Sequence, residues 1–350
     1  MAKRRKFLKS IGVAGTAGVT GLAGCLGGDG GDGGSGGDGG SGGDGTTAAP
    51  DQLSFGDDGS VNFGISPSVP QENLEIQYGP FLDHIERYLD ENYEVPDGLA
   101  VDGNIASNYS AIIQSLGQGT TDIAETGPFA AALGVESGNA EIVLQRYGYG
   151  SWTYKSIIAV PDDSDIEAVA DLEGKRVAFA DRLSTSGSLY PLRAISQAGV
   201  DIGNLPEGNG SQAAFNARFT NGHVSSYNNL EQDVVDAAAM GGFVRDTPAG
   251  PVPEDWQEVA TTLHEDTGLP RAPIVVSPEL SEDAQNALTQ SILDTPEEAY
   301  LGEDGEEDTE ENEPDDDLWF GRVREASQED YQSVIDVANE LGVGTEIFES

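Results

Sequence analysis

Positive charge is the scarcest commodity in this 350-residue chain. Lysine and arginine together number 17 against 62 acidic residues, a formal net charge of −45, and after Lys9 the only lysines are Lys155 and Lys175. A surface this negative repels nucleic acid, which is excluded as a partner. Cysteine is nearly absent too: Cys25 stands alone, so no disulfide can form within the chain. The three histidines, His84, His223 and His264, belong to no H-E-x-x-H or Cys/His cluster, and no metal site is expected. A phosphate-cradling Walker loop is missing, because "EGKR" lacks both the glycine spacing and the Ser/Thr. No cofactor is implied, and no titratable pair suggests catalysis.

What is present begins with an address. "KRRKFLKS" (Lys3 to Ser10) carries twin arginines followed by Phe-Leu-Lys, the pattern of a twin-arginine export signal. The apolar stretch from Ile11 to Gly24 is too short and too glycine-rich to span a bilayer. It ends in "LAGC", a lipoprotein-type cleavage box that makes Cys25 the expected lipidated N-terminus. Residues 1–24 therefore read as signal, and 25–59 as a Gly/Asp/Ser-rich tether that cannot bury apolar area. The G-x-S-x-G match around Ser35 lies in that tether, with no strand or helix to make it a nucleophile elbow. The expected location is the outer face of the cell membrane. The acid excess itself reads as adaptation to very high salt, where screening tolerates dense like charge.

The folded body opens near Ser60. "SVNFGISPS" predicts a short buried strand, and Phe81, Leu82, Ile85 and Leu89 then recur at helical spacing. Ile112, Ile113 and Leu116 mark a second helix, followed by a strand in "DIAET". "EIVLQRY", "YKSIIAVP" and "RVAFA" are further strands, and "PIVV" is a late one. "SEDAQNALTQSIL" and "QEDYQSVIDVANELG" are closing helices. Strands alternating with helices predict an α/β protein with mixed, largely parallel sheets, whose ligands gather at the carboxyl ends of strands. The run "LGEDGEEDTEENEPDDD" (301–317) lacks calcium-loop spacing and reads as an acidic surface insertion.

"RLSTSGSLYP", Arg182 to Pro191, sets four hydroxyls around one glycine where a strand ends and a helix begins. One reading is an ordinary helix cap, for which a single Ser or Thr suffices. The other is an anion cradle, in which Ser184, Thr185, Ser186 and Gly187 offer hydroxyls and backbone N–H groups at a helix start. Neutral donors of that kind could hold an anion without any lysine. Pro191 leaves the helix start open, since it removes an N–H close to the first turn.

The ordered set "FGISPS", "NYSAIIQSLGQGTTDIAETGP", "YKSIIAVPDDSDIEAVADLEGKRVAFAD", "STSGSLYP", "GHVSSYNNLEQDVVDAA" and "LPRAPIVV" resembles the phosphate/phosphonate-binding solute receptors of ABC importers, from about Val61 to Leu280. The resemblance implies a two-lobed, periplasmic-binding-protein type II fold, a hinged trap of mixed sheets flanked by helices. Lobe one is then expected over 60–152 and 276–350, and lobe two over 153–275. It implies ligand contacts from Tyr109, Tyr154, Ser184, Thr185, Ser186 and His223, with Ser66, Gly127, Gly187 and Arg271 as further candidates. Bland readings stand beside these: Tyr109 as a packing aromatic, His223 as a capping residue, Arg271 as a surface ion pair. Lys155, on the opposite face from Tyr154, is expected in an ion pair. The implied partners are a small phosphorus oxyanion and permease subunits, with the chain acting as a monomer and not as an enzyme.

Departures sharpen the expected ligand. Where relatives that take aminoalkylphosphonates carry acids for the ligand's ammonium, this chain aligns Phe243 and Ala272, and Val224 replaces the usual acid after the histidine. An ammonium buried without partners is costly. Phosphate, phosphite or a small phosphonate with an uncharged tail is therefore expected, with another small oxyanion (carboxylate or sulfonate), a ligand sensor or an enzyme on the same fold as alternatives.

Overall fold

The computed structural model describes residues 52–55, 59–67, 74–247, 256–307 and 316–349. The export signal, Cys25, most of the 25–59 tether and 308–315 of the acidic run lie outside the described residues. No described helix is long and apolar enough to cross a membrane.

Along the chain come β1 (Val61–Ile65), α1 (Leu74–Asn92), β2 (Val101–Ile105), α2 (Tyr109–Gly117), β3 (Ile123–Glu125), α3 (Pro128–Glu136) and β4 (Glu141–Gly148). Then follow β5 (Thr153–Pro161), β6 (Arg176–Phe179), a π-helical turn (Thr185–Leu189), α4 (Tyr190–Gln197), β7 (Asn216–Phe219), α5 (His223–Glu231) and β8 (Ala237–Gly241). Two single turns, α6 (Phe243–Asp246) and α7 (Trp256–Val259), lead to β9 (Ala260–Pro270), β10 (Pro273–Val276), α8 (Glu282–Leu293), β11 (Phe320–Glu325) and α9 (Gln332–Leu341).

These strands make two sheets. The first is six-stranded in the order β11-β4-β10-β3-β1-β2, and the second is five-stranded in the order β7-β6-β8-β5-β9. In each, a parallel trio is extended by antiparallel strands: β1 pairs in parallel with β2 and β3, and β6 with β7 and β8. The chain crosses between the sheets twice among the described residues, through 149–152 after β4 and through Arg271–Ala272 between β9 and β10. The return strand thus begins at Pro273, where the sequence reading set the change at 276.

Local sequence accounts for the layers. In α1, Leu74, Tyr78, Phe81, Leu82, Ile85 and Leu89 share one buried face against β1, where Phe63 meets Tyr78 and Phe81 with ring centres about 6 Å apart. Gly64 is needed in β1 because a Cβ there would lie 2.9 Å from the Ala124 Cβ of β3. The Ser281 side chain caps α8 by accepting from Ala284 N–H at 3.2 Å, with Glu282 and Asp283 in the first turn. The apolar cluster of α2, α3 and α9 also takes in Leu183, Leu189 and Tyr190, so α9 packs on elements flanking both sheets. Segments that follow the parallel strands β1, β2, β3, β6, β7 and β8 each supply residues to one cavity.

Candidate functional site

The hydroxyl-rich stretch after β6 is neither a plain cap nor an ordinary first helical turn. Ser184 is an N-cap whose Oγ accepts from Gly187 N–H at 3.0 Å. The following turn is π-helical: Leu189 N–H donates to Ser184 O at 3.0 Å, five residues back. Pro191 then falls in the first positions of α4, where a missing N–H costs nothing. The wider turn is held from both sides. Ser156 Oγ on β5 donates to Ser186 O at 2.7 Å, and Ser188 Oγ donates to Asp181 O at 2.5 Å. Thr185 Oγ1 accepts from Phe129 N–H of α3 at 2.8 Å, joining this turn to an element of the first sheet. Ser184, Thr185 and Ser186 are all buried, and the Thr185 and Ser186 hydroxyls lie within hydrogen-bond reach of the Tyr154 phenol.

A small cavity faces this turn, with room for water centres of about 50 Å³. Tyr109, Tyr154, Ser184, Thr185, Ser186 and His223 all line it, as do Ser66, Gly127 and Arg271. Gly187 does not; it sits behind the wall, where a Cβ would lie 2.4 Å from the Ala180 Cβ and 3.1 Å from His223 Cε1.

Each donor is prepared by its surroundings. His223 opens α5 but caps nothing with its side chain. Its Nδ1 accepts from Gly241 N–H at 2.9 Å, so the ring proton is on Nε2, 3.4 Å from Ser184 Oγ. Burial lowers its pKa to about 4, leaving a neutral N–H donor at ordinary pH. Burial also pushes the Tyr154 phenol up to about 12 and the Tyr109 phenol higher still, so both keep their protons. Tyr109 starts α2 behind the Asn108 cap, whose Oδ1 accepts from Ala111 N–H at 2.8 Å, and its ring lies against Gly127. Ser66 differs: its N–H and hydroxyl both donate to Glu125 Oε1, at 2.7 and 2.8 Å, so its proton is already engaged.

Arg271 is not the surface ion pair that was one expectation. It is 6 % exposed, and its guanidinium lies 5.3 Å from the ring centres of both Tyr149 and Tyr154. Lys155 does turn to the other face, 3.3 Å from Asp246 and 3.7 Å from Glu265. His84 is a packing residue, its Nε2 3.0 Å from Ser291 O.

Several lining residues escaped the sequence reading. Arg146 of β4 lines the cavity and forms a buried ion pair with Glu125 of β3, and it lies 4.3 Å from the Trp319 ring centre. Tyr149, at a positive φ of 46°, stacks between Phe243 and Trp319 with centres 6.1 and 5.9 Å away. The cue was the "YGYGSW" run, aromatics and glycines at a crossing between sheets. Phe243 and Ala272, the positions without acids, both line the cavity. The ensemble is a ring of neutral donors with one unpaired cation and an aromatic end. Its chemistry is anion binding. No cluster of three or more metal-ligating side chains exists among the described residues.

Comparison with known proteins agrees with this chemistry. A family model described as the periplasmic substrate-binding protein of phosphonate ABC transporters matches residues 63–331. The phosphonates-binding periplasmic protein of Escherichia coli K12 is 29 % identical over 247 residues, 68 % of each chain. The phosphate-import protein PhnD of Mycolicibacterium smegmatis is 31 % identical over 188 residues, 51 % of this chain and 54 % of that one. Among solved structures, a binding-protein component of an ABC phosphonate transporter from Pseudomonas aeruginosa superimposes with a TM-score of 0.64 at 20 % identity, covering 81 % of this chain and 86 % of that one. PhnD1 from Prochlorococcus marinus, in complex with methylphosphonate, gives 0.61 at 18 % identity over 81 % and 98 %. At these identities the structural likeness speaks for the fold.

Proposed function

Since the chain belongs to the family of periplasmic phosphonate-binding proteins of ABC transporters, we propose that it is an extracytoplasmic lipoprotein receptor for phosphate, phosphite or a small phosphonate with an uncharged tail. The observation that carries this is the buried π-turn, which presents Ser184, Thr185 and Ser186 to one cavity together with His223, Tyr109 and Tyr154. Charge-assisted hydrogen bonds are roughly twice as strong as neutral ones, so several acting together hold an oxyanion without lysine. Phe243 and Ala272 leave an ammonium tail no carboxylate partner.

In this reading the oxyanion is clasped between the two lobes and handed to permease subunits. The protein travels by the twin-arginine route of Arg4 and Arg5, anchors through lipidated Cys25, works as a monomer in concentrated salt, and catalyses nothing. Binding of the mature protein, measured by thermal shift in molar salt, tests it. Phosphate, phosphite or methylphosphonate at a hundredfold excess over Kd should stabilise the fold by about 2.7 kcal/mol. No response to any phosphorus oxyanion overturns the reading, and an equal response to aminoethylphosphonate overturns the claim about the tail.

A further inference from the structure

Arg271 is the one charged group at this cavity that the hydrogen-bonding scheme leaves unanswered. It is 94 % buried by its 6 % exposure. No carboxylate lies within ion-pair distance of it among the described residues, and its Nε has no hydrogen-bond acceptor. The other buried arginine, Arg146, is neutralised by Glu125. The side chain is set in place by its backbone, since Arg271 N–H donates to Trp152 O at 3.0 Å and Arg271 O accepts from Tyr331 Oη at 2.9 Å. Two phenol rings, Tyr149 and Tyr154, lie against the guanidinium. Such contacts offset only part of the penalty for burying an ion. The structure therefore keeps an uncompensated positive charge at the wall of an anion cavity.

We propose, resting on the oxyanion-receptor reading above, that Arg271 is the charge-selecting residue of the cavity and makes it prefer a doubly charged phosphorus oxyanion over the singly charged form. The hydroxyls of Ser184, Thr185, Ser186, Tyr109 and Tyr154 can each donate or accept, so they tolerate a protonated P–OH. A guanidinium only donates. It rewards the second negative charge and offers a P–OH no acceptor.

The other titratable groups near the cavity are accounted for. His223 stays neutral above about pH 4, and the Tyr109 and Tyr154 phenols stay protonated. Tyr149 faces Arg271 from the crossing after β4 and Tyr331 from the turn before α9. Arg146 is locked to Glu125. Asp181 is a buried carboxyl raised by desolvation, its Oδ1 accepting from Leu183 N–H at 2.8 Å. A ligand of constant charge separates any effect of Asp181 from the ligand's own ionisation.

The test is calorimetric titration of the mature protein with inorganic phosphate and methylphosphonate, about one pH unit below and above each ligand's second ionisation, with sulfate as the constant-charge control. The wild-type protein should bind the phosphorus ligands about tenfold tighter at the higher pH, with sulfate affinity unchanged. Arg271→Gln should lose about 10-fold to 100-fold in affinity at the higher pH and lose the pH gain. Arg271→Lys should keep the gain at intermediate affinity, and remains a readout if the glutamine variant misfolds. An unchanged gain in Arg271→Gln, or an equal gain for sulfate, overturns the assignment and leaves the receptor reading intact. Failure of the wild-type protein to bind any of these ligands overturns both.

Discussion

Because burial holds the His223 pKa near 4, against 6.5 for a free imidazole, the unfolded chain takes up a proton between those values that the folded chain refuses. This contribution is intact above about pH 6.5 and falls as pH drops towards 4, by up to about 3 kcal/mol. Acidifying from about pH 7 to about pH 4.5 should lower the urea-unfolding free energy less in His223→Gln than in the parent, by about 2 kcal/mol. Equal losses would mean that the ring is solvated in the fold. Arg146 and Glu125 act as one unit. Arg146→Met alone should cost about 3–5 kcal/mol by leaving a buried carboxylate unpaired, and adding Glu125→Gln should recover most of it. A double variant no more stable than the single one would refute the pairing. The hydroxyls of Ser184, Thr185 and Ser186 were legible in the sequence because several polar groups crowd the end of one apolar run, whereas Tyr109, Tyr154 and His223 were named only through the family resemblance. Glu125 and Arg146 were not, since "DIAET" and "EIVLQRY" each carry two charges of a kind normally solvated at a strand's end or face, and only the sheet order β4-β10-β3 brings the Glu125 and Arg146 side chains together.

Between elements, the bond from Phe129 N–H to Thr185 Oγ1 joins the start of α3 to the π-turn. Pro128 through Gly134 are all buried, so water cannot replace the lost acceptor. Thr185→Val should cost about 1–3 kcal/mol in chemical denaturation and also weaken oxyanion binding. A variant as stable as the parent would show the N–H satisfied elsewhere. Gly187→Ala forces a Cβ into Ala180 and should destabilise by about 1–3 kcal/mol, read as a lower thermal midpoint. The same scale shows why some elements were hidden. The helix α3 is buried on every side, so "PFAAALGVE" carries no amphipathic period. The edge strands β7 and β9 carry mostly exposed or half-buried residues and lack the apolar runs that revealed β5 and β6. Pro191, ambiguous in sequence, sits comfortably once five-residue spacing delays the start of α4.

At the scale of the molecule, alternation of strands and helices was enough to foresee an α/β body with mixed sheets, but not the strand order, and the expected predominance of parallel pairing was wrong because β4, β5, β9, β10 and β11 all pair antiparallel. The net charge of −45 makes self-repulsion a global property. Moving from about 0.1 M to about 1 M salt shortens the screening length from about 10 to about 3 Å. The thermal midpoint should therefore rise by several degrees, and a midpoint indifferent to salt would remove the case for a high-salt habitat. The two crossings between the sheets carry a further consequence. One is only Arg271–Ala272, flanked by Pro270 and Pro273, whose rings fix their own φ. Any rotation of one sheet against the other must be absorbed there and in residues 149–152, the two segments that supply Arg271 and Tyr149 to the cavity. In the receptor reading, grip and joint would be one lever: a turn of one sheet against the other would swing Arg271 and Tyr149 together, gearing the charge offered to a ligand to the angle between the halves.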